Sequence, residues 1–204
     1  MSLKNVKQSL NKISKSLSNT QDSREFLIKN TREVVILCSQ SIISVHKKDL
    51  KSAKAKVKKA DSLLKSQKKK ATGDLQRYII TPEQELVEAY SLIAVADQKA
   101  IPSITTLQVS PEAYVLGLLD CIGELKRLTY DKIRTGESKE AQRIFEIMED
   151  LYQYLYPFAA FDKIVKEARR KLDVNRILVE DVRAALTEEI RRSDLIDTIS
   201  KLRK

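Results

Sequence analysis

Ser110-Pro111-Glu112-Ala113-Tyr114-Val115-Leu116-Gly117-Leu118-Leu119-Asp120-Cys121-Ile122-Gly123-Glu124-Leu125 is the run on which the reading of the fold turns. Ser110 offers a side-chain oxygen to the free N–H groups of a first helical turn, and Pro111 suits the first helical position, so a helix opens here. It runs to about Arg134 and is stopped by Gly136. Thr81-Pro82 carries the same signal and opens a helix to about Ala100, with residues 101–110 as the connection. Each helix sets two carboxylates into apolar surroundings: Glu85 and Glu88 within Gln84-Glu85-Leu86-Val87-Glu88-Ala89, and Asp120 and Glu124 in the run quoted above.

Outward from this pair the chain keeps a helical grammar. Leu3, Val6, Leu10, Ile13 and Leu17 repeat at three- and four-residue intervals, predicting an amphipathic helix that ends near Ser18 or Asn19. Asp22 or Ser23 then caps a second element over about Arg24 to Val45, which could be continuous with the first. A lysine-rich helix follows from about Asp49 to Lys69, with Gly73 as a turn signal. Beyond Gly136, helices are expected from Ser138 to about Tyr156, breaking near Pro157, and from about Asp162 to Arg192. A short terminal helix is expected after Ser193. The aromatic group Tyr152, Tyr154, Tyr156, Phe158 and Phe161 reads as packing at the Pro157 corner in preference to a base-stacking platform.

Four Gly and four Pro among 204 residues are too few for a many-stranded sheet. The fold class is therefore all-α, an antiparallel helical bundle of about six or seven helices, read as a single domain over 1–204. No apolar run reaches the roughly 18–20 residues of a membrane span and no signal-peptide core is present, so a soluble, cytoplasmic protein with no membrane partner is expected. Cys38 and Cys121 lie in apolar helical stretches without zinc-like spacing, which fits buried, reduced thiols. His46 is the only histidine, so a two-histidine acid/base pair is excluded within one subunit and nothing supports a Ser-His-Asp triad.

The formal net charge of +10 is concentrated. Lys47 to Lys70 holds eleven lysines against Asp49 and Asp61, a local excess of +9. Leu50, Ala53, Val57, Ala60 and Leu64 run through it as an apolar stripe, so it is an amphipathic helix with a cationic face. Such a face attracts polyanions by counterion release, with nucleic acid the usual partner. Without an aromatic residue it would grip phosphates and not stack bases, and the bland alternative is a solvated helix surface.

Four carboxylates among apolar neighbours need compensation, because a buried ionised carboxylate costs several kcal/mol unless it is paired or binds a metal. About a connection centred between Ile104 and Thr105, Glu88 lies 16.5 residues before and Asp120 15.5 after, while Glu85 and Glu124 each lie 19.5 away. With equal rise on two antiparallel helices, Glu88 should face Asp120 and Glu85 should face Glu124. Oxygen ligands without Cys or His suit a hard ion such as Mg²⁺ or Mn²⁺. Gly117 and Gly123 cost about 1 kcal/mol each in a helix interior, which close approach by a neighbour or ligand would justify. Glu83 and Glu85 also fit the ordinary reading of exposed acids near a helix N-terminus; Glu88 and Asp120 do not.

These residues resemble the translin family, and more specifically its translin-associated factor X branch. Gln84-Glu85-Leu86-Val87-Glu88-Ala89 is similar to that branch's QExVEA segment. Tyr114, Leu116-Gly117, Asp120, Gly123-Glu124-Leu125 and Arg127 resemble its YLLGxxDxxGELxR signature. Weaker similarity covers Asp22-Ser23-Arg24-Glu25, Thr31-Arg32-Glu33 and Val179-Glu180, while Tyr152 to Phe161 departs from the family's glycine-phenylalanine pattern. The resemblance implies an α-helical subunit of a hollow oligomer, commonly an octamer, that encloses RNA. It also implies metal-dependent endoribonuclease activity carried by Glu85, Glu88, Asp120 and Glu124. Glu88 and Asp120 are expected as principal ligands, with Glu85 and Glu124 binding directly or through water.

Lys47, Lys48, Lys51, Lys54, Lys58, Lys59 and Arg127 are the expected nucleic-acid contacts, to single- or double-stranded RNA. The alternatives are a non-catalytic RNA or single-stranded DNA binder, as in the translin branch, and a helical scaffold for which the Leu3 to Leu17 run speaks.

Overall fold

The structure is a computed structural model that describes residues 3–202, so the two residues at each end of the expected domain lie outside it. Among the described residues there are seven α-helices and no strand: α1 Lys4–His46, α2 Leu50–Lys68, α3 Arg77–Ala96, α4 Ile104–Leu107, α5 Pro111–Arg134, α6 Ser138–Leu155 and α7 Ala168–Leu202. Two 3₁₀ turns, Gly73–Gln76 and Tyr156–Phe161, complete the order. The all-α bundle expected from composition is the observed fold.

Helix α1 runs unbroken through Ser18, so the two amphipathic segments are continuous, the second of the two readings the sequence allows. No Gly or Pro falls between residues 3 and 46, and the Thr20 hydroxyl donates back to the Ser16 carbonyl at 3.1 Å instead of capping a new start. For the same reason α7 continues through Ser193. Its start is later than expected: the backbone N–H groups of Ile164 and Val165 both donate to the Phe161 carbonyl, and Glu167 takes a left-handed φ of 74°. Asp162 still serves the helix, accepting from the Arg169 N–H at 3.0 Å.

Thr81-Pro82 does not open α3, which begins at Arg77 with Pro82 inside it. A proline there leaves the Tyr78 carbonyl without its helical N–H partner. Burial of Leu75 and Ile79 on the upstream turn offsets that loss and draws the turn into the helix. The Ser110-Pro111 signal behaves as read, with the Ser110 Oγ accepting from the Ala113 N–H at 3.3 Å. Asp49 likewise caps α2, accepting from Ser52 N–H at 2.9 Å.

Helices α3 and α5 pack against each other at the centre, with α1 against α2 and α3, and α6 and α7 against α5. One cluster of buried side chains unites them, from Leu27 of α1 to Leu186 of α7. The first half of α1 stands outside that cluster, with Leu3, Val6, Leu10, Ile13 and Leu17 exposed. At the Pro157 corner, Tyr152 and Phe158 pack on the core as expected, whereas Tyr154, Tyr156 and Phe161 are largely exposed. Cys38 and Cys121 are free and buried. No helix among the described residues is long and apolar enough to cross a membrane.

Candidate active site and metal centre

Gly117 sets the distance between α3 and α5. A Cβ on it would meet the Gln84 carbonyl oxygen at 2.4 Å and the Val87 Cβ at 2.7 Å, so only glycine lets the two backbones approach this closely. Gly123 is different: nothing lies within 4 Å of a Cβ built there, so no neighbour in the chain accounts for it.

The close approach fixes a register unlike the sequence estimate. Gly117 lies against Gln84 and Val87, and the Gln84 side-chain amide donates to Asp120 Oδ2. Asp120 thus stands beside Gln84 and Glu85, about a turn from the level that placed it opposite Glu88. Asymmetry in the connection explains the slip: Ser103 caps the short α4 by accepting from Thr106 N–H, and Gln108 ends it in a left-handed conformation. The centre of the loop is therefore not the centre of the hairpin.

The four acids nevertheless form one electrostatic patch. Glu85, Glu88, Asp120 and Glu124 are all half-buried. Burial, then Asp120, Glu85 and Glu124 in decreasing order, push the Glu88 carboxyl up to about 8. Glu85 is raised by burial and by Asp120, with Lys171 opposing. Neither Glu85 nor Glu88 has a hydrogen-bond or ion-pair partner among the described residues. The thiol of Cys38, behind them on α1, is pushed up to about 12 by burial and then by Glu85 and Glu88.

The other two acids are engaged. Asp120 accepts from Gln84 on one oxygen and from the Lys171 ammonium of α7 on the other. Glu124, expected opposite Glu85, turns toward α1: its Oε2 lies 2.6 Å from His46 Nε2, whose Nδ1 is 3.3 Å from Asp131 Oδ2. Arg127 is 3.9 Å from the same Glu124 oxygen. Sequence reasoning missed Lys171, which lies between the buried Ala168 and Leu172 of α7 and carries no local signal. His46 and Gln84 were visible, one as the lone histidine and one within the motif, but only the packed helices show what they touch.

Glu83 does not follow the ordinary reading of an exposed acid near a helix N-terminus. It is buried, pairs with Lys68 of α2 and accepts from the Ser110 N–H at 2.8 Å. It thereby ties α2 to the start of α5, a structural lock beside the patch.

Four carboxylates with no thiol among the donors are the right chemistry for a hard dication, and two of them, Glu85 and Glu88, have no partner among the described residues. As the side chains stand, no three acidic, histidine or thiol groups among the described residues converge on one point. Lys171 and His46 hold Asp120 and Glu124 apart from the other two acids.

The lysine-rich stretch formed by α2 and the turn before it presents its charge unevenly. Lys48 pairs with Glu137, Lys54 with Asp97 and Lys59 with Glu33, while Lys56 donates to the Ser44 hydroxyl. Lys47, Lys51 and Lys58 are exposed with no acidic partner among the described residues.

Fold and site together define an all-α bundle whose central helix pair carries a crowded carboxylate patch. The translin family profile matches residues 5–186, and the chain belongs to that family. It is 33% identical over 196 residues to an uncharacterized protein of Methanocaldococcus jannaschii, MJ0175, covering 95% of this chain and 88% of that protein. Among solved structures it is similar to AfC3PO in complex with duplex RNA (TM-score 0.82, 30% identity, 90% of this chain and 97% of that one). It is also similar to AfC3PO alone (TM-score 0.83, 31% identity, 90% and 98%). Likeness to apo-NeC3PO, at 21% identity and a TM-score of 0.79 over 88% of this chain and 96% of that one, extends to the fold alone.

Proposed function

We propose that the chain is a metal-dependent endoribonuclease of the translin-associated factor X type, cutting RNA phosphodiester bonds inside a hollow homo-oligomer. The observation that carries this reading is Glu88: a carboxyl pushed up to about 8 by burial and by three neighbouring acids, with no partner among the described residues. A bundle gains nothing in stability from that arrangement, whereas binding a hard cation relieves it. Membership of the translin family and likeness to a structure solved with duplex RNA support RNA as the substrate. The unpartnered apolar stripes at Leu3 to Leu17 and at Leu195, Ile196, Ile199 and Leu202 support self-association, and an octamer is the assembly expected.

When bound, Mg²⁺ or Mn²⁺ would neutralise charge on the phosphoryl oxygens and lower the pKa of a bound water. Glu88 and Asp120 are its proposed ligands, with Glu85 and Glu124 binding directly or through water. Because ligation needs the carboxylate, Glu88 must lose its proton on binding, so metal affinity rises with pH. His46 fixes the direction of Glu124, and Gln84 that of Asp120. Lys47, Lys51 and Lys58, together with Arg127, are the proposed phosphate contacts. Lys48, Lys54 and Lys59 contribute less because each already has an acidic partner, while Arg127 is only loosely paired, 3.9 Å from Glu124, and more than half exposed.

The test is cleavage of end-labelled single- and double-stranded RNA with and without Mg²⁺, for the wild type, Glu88→Ala and Asp120→Asn. Cleavage that requires the metal and disappears in both variants with the oligomer intact is the expected result; full activity in Asp120→Asn refutes the assignment. A second reading, RNA binding without turnover, is favoured by Asp120, whose two oxygens are both engaged within the chain. Binding that survives EDTA with no cleavage under any metal would establish it.

A further inference from the structure

Lys171 brings a positive charge into the patch from a third helix, and its placement is fixed. Ala168, Leu172, Val179, Val182 and Leu186 seat α7 on the core. One turn beyond Lys171 and on the same face, the buried Asn175 donates through Nδ2 to the Leu119 carbonyl oxygen at 2.9 Å. That bond anchors α7 to the residue immediately before Asp120, which determines the height at which the lysine stem crosses to α5. Its ammonium takes one oxygen of Asp120 while Gln84 takes the other. Lys171 also opposes the upward pressure on both Glu85 and Glu88.

An ammonium is a compact point charge on a flexible stem, so it can stand where a cation is wanted and leave when a stronger one arrives. The two side chains are only 20% and 24% exposed, so solvent screens the pair incompletely. We propose that Lys171 is a resident counter-cation of the acidic patch, occupying Asp120 in the metal-free chain and displaced from it when a hard dication binds, so that it sets the metal affinity. This rests on the metal-site reading above and adds to it a positioning residue that competes with the ion. It accounts for the absence of a converged ligand set: Asp120 is held toward α7 until Lys171 releases it.

The proposal predicts an effect of unusual sign. Deleting a structural ion pair or a ligand weakens a metal site; deleting a competitor strengthens it. Mn²⁺ titrations of the full-length oligomer, reading free Mn²⁺ by electron paramagnetic resonance at fixed pH and ionic strength, should show Lys171→Met binding about tenfold tighter than the wild type or better. Lys171→Gln, which keeps a donor but drops the charge, should also tighten, and Lys171→Arg should stay near the wild type. Glu88→Gln should weaken binding. Circular dichroism and oligomer size identify folded variants, and Lys171→Gln stands in if Lys171→Met fails to fold. Wild-type binding that is unchanged or weakened by both neutral substitutions overturns the proposal and leaves the metal site intact. Absence of Mn²⁺ binding in every protein overturns both.

Discussion

Two regions of this molecule are dense in charge, and they handle it in opposite ways. Along Lys47 to Lys68 most of the lysines reach water: Lys48, Lys54 and Lys59 pair with acids, Lys47, Lys51 and Lys58 are left to solvent, and Lys68 ties to the buried Glu83. On α3 and α5 four acids share a half-buried patch that contains a single lysine and the lone histidine. Charge along α2 is abundant and mostly solvated; charge on α3 and α5 is scarce and crowded, with Glu88 pushed up to about 8. The number of charged residues in a segment therefore says little about how hard each one works. Desolvation and like-charge crowding decide that, and both arise only when helices pack.

The most severe test of this contrast is chemical. Glu88→Ala and Asp120→Asn should each lower metal-dependent RNA cleavage by on the order of 100-fold or more, measured as single-turnover rates. Neutralising one solvent-facing lysine of α2 should leave that rate within a few-fold, and a comparable loss there would erase the distinction.

Next in size is the pH dependence of folding stability. In the unfolded chain Glu88 titrates near 4.5, and in the folded chain near 8. Between those values the folded chain retains a proton that the unfolded chain has lost, so the stability associated with this group is complete below about 4.5 and is lost as pH rises through about 8. Urea unfolding in EDTA should show a fall of roughly 3 kcal/mol from this group across the window, after discounting for its partial exposure. Glu88→Gln should flatten the profile. A flat profile in the wild type would mean that burial and like-charge crowding leave Glu88 unaffected.

The two glycines of the patch divide in the same spirit. Gly117→Ala forces a methyl against the Gln84 carbonyl and Val87, and should destabilise by about 1–3 kcal/mol in chemical denaturation. Gly123→Ala meets open space in mid-helix and should stabilise by up to about 1 kcal/mol. If Gly123→Ala remains folded yet loses Mn²⁺ binding, then the open space beside Glu124 belongs to the ligand.

The smallest effect belongs to α2. Lys58→Ala should reduce the slope of log RNA affinity against log salt by about one phosphate contact, and Lys54→Ala, already neutralised by Asp97, should leave it unchanged. Equal slopes would mean that the surface pairing of α2 does not ration its phosphate contacts.

Legibility in the sequence followed the range of the interaction. Ser110-Pro111 and Asp49 cap their helices as read, because a cap is satisfied within one turn. Thr81-Pro82 misled, since burial of Leu75 and Ile79 carried α3 upstream past the proline. Glu83 looked like a solvent-facing acid and is a buried tie between α2 and α5, because its partners Lys68 and Ser110 are distant in sequence. The four acids were found from their apolar neighbours, but their pairing was placed about a turn away from where Gly117 sets it.

From its sequence alone this protein was committed to a helical bundle with two acids on each of two central helices, because periodicity, capping and the shortage of Gly and Pro act over a few residues. Which acids remain free, which are held by Lys171 and His46, and how far Glu88 is driven from its ordinary range were decided only in the tertiary structure. Those properties depend on dielectric surroundings and on distances between α1, α3, α5 and α7, and such distances are properties of packed helices that no single segment contains.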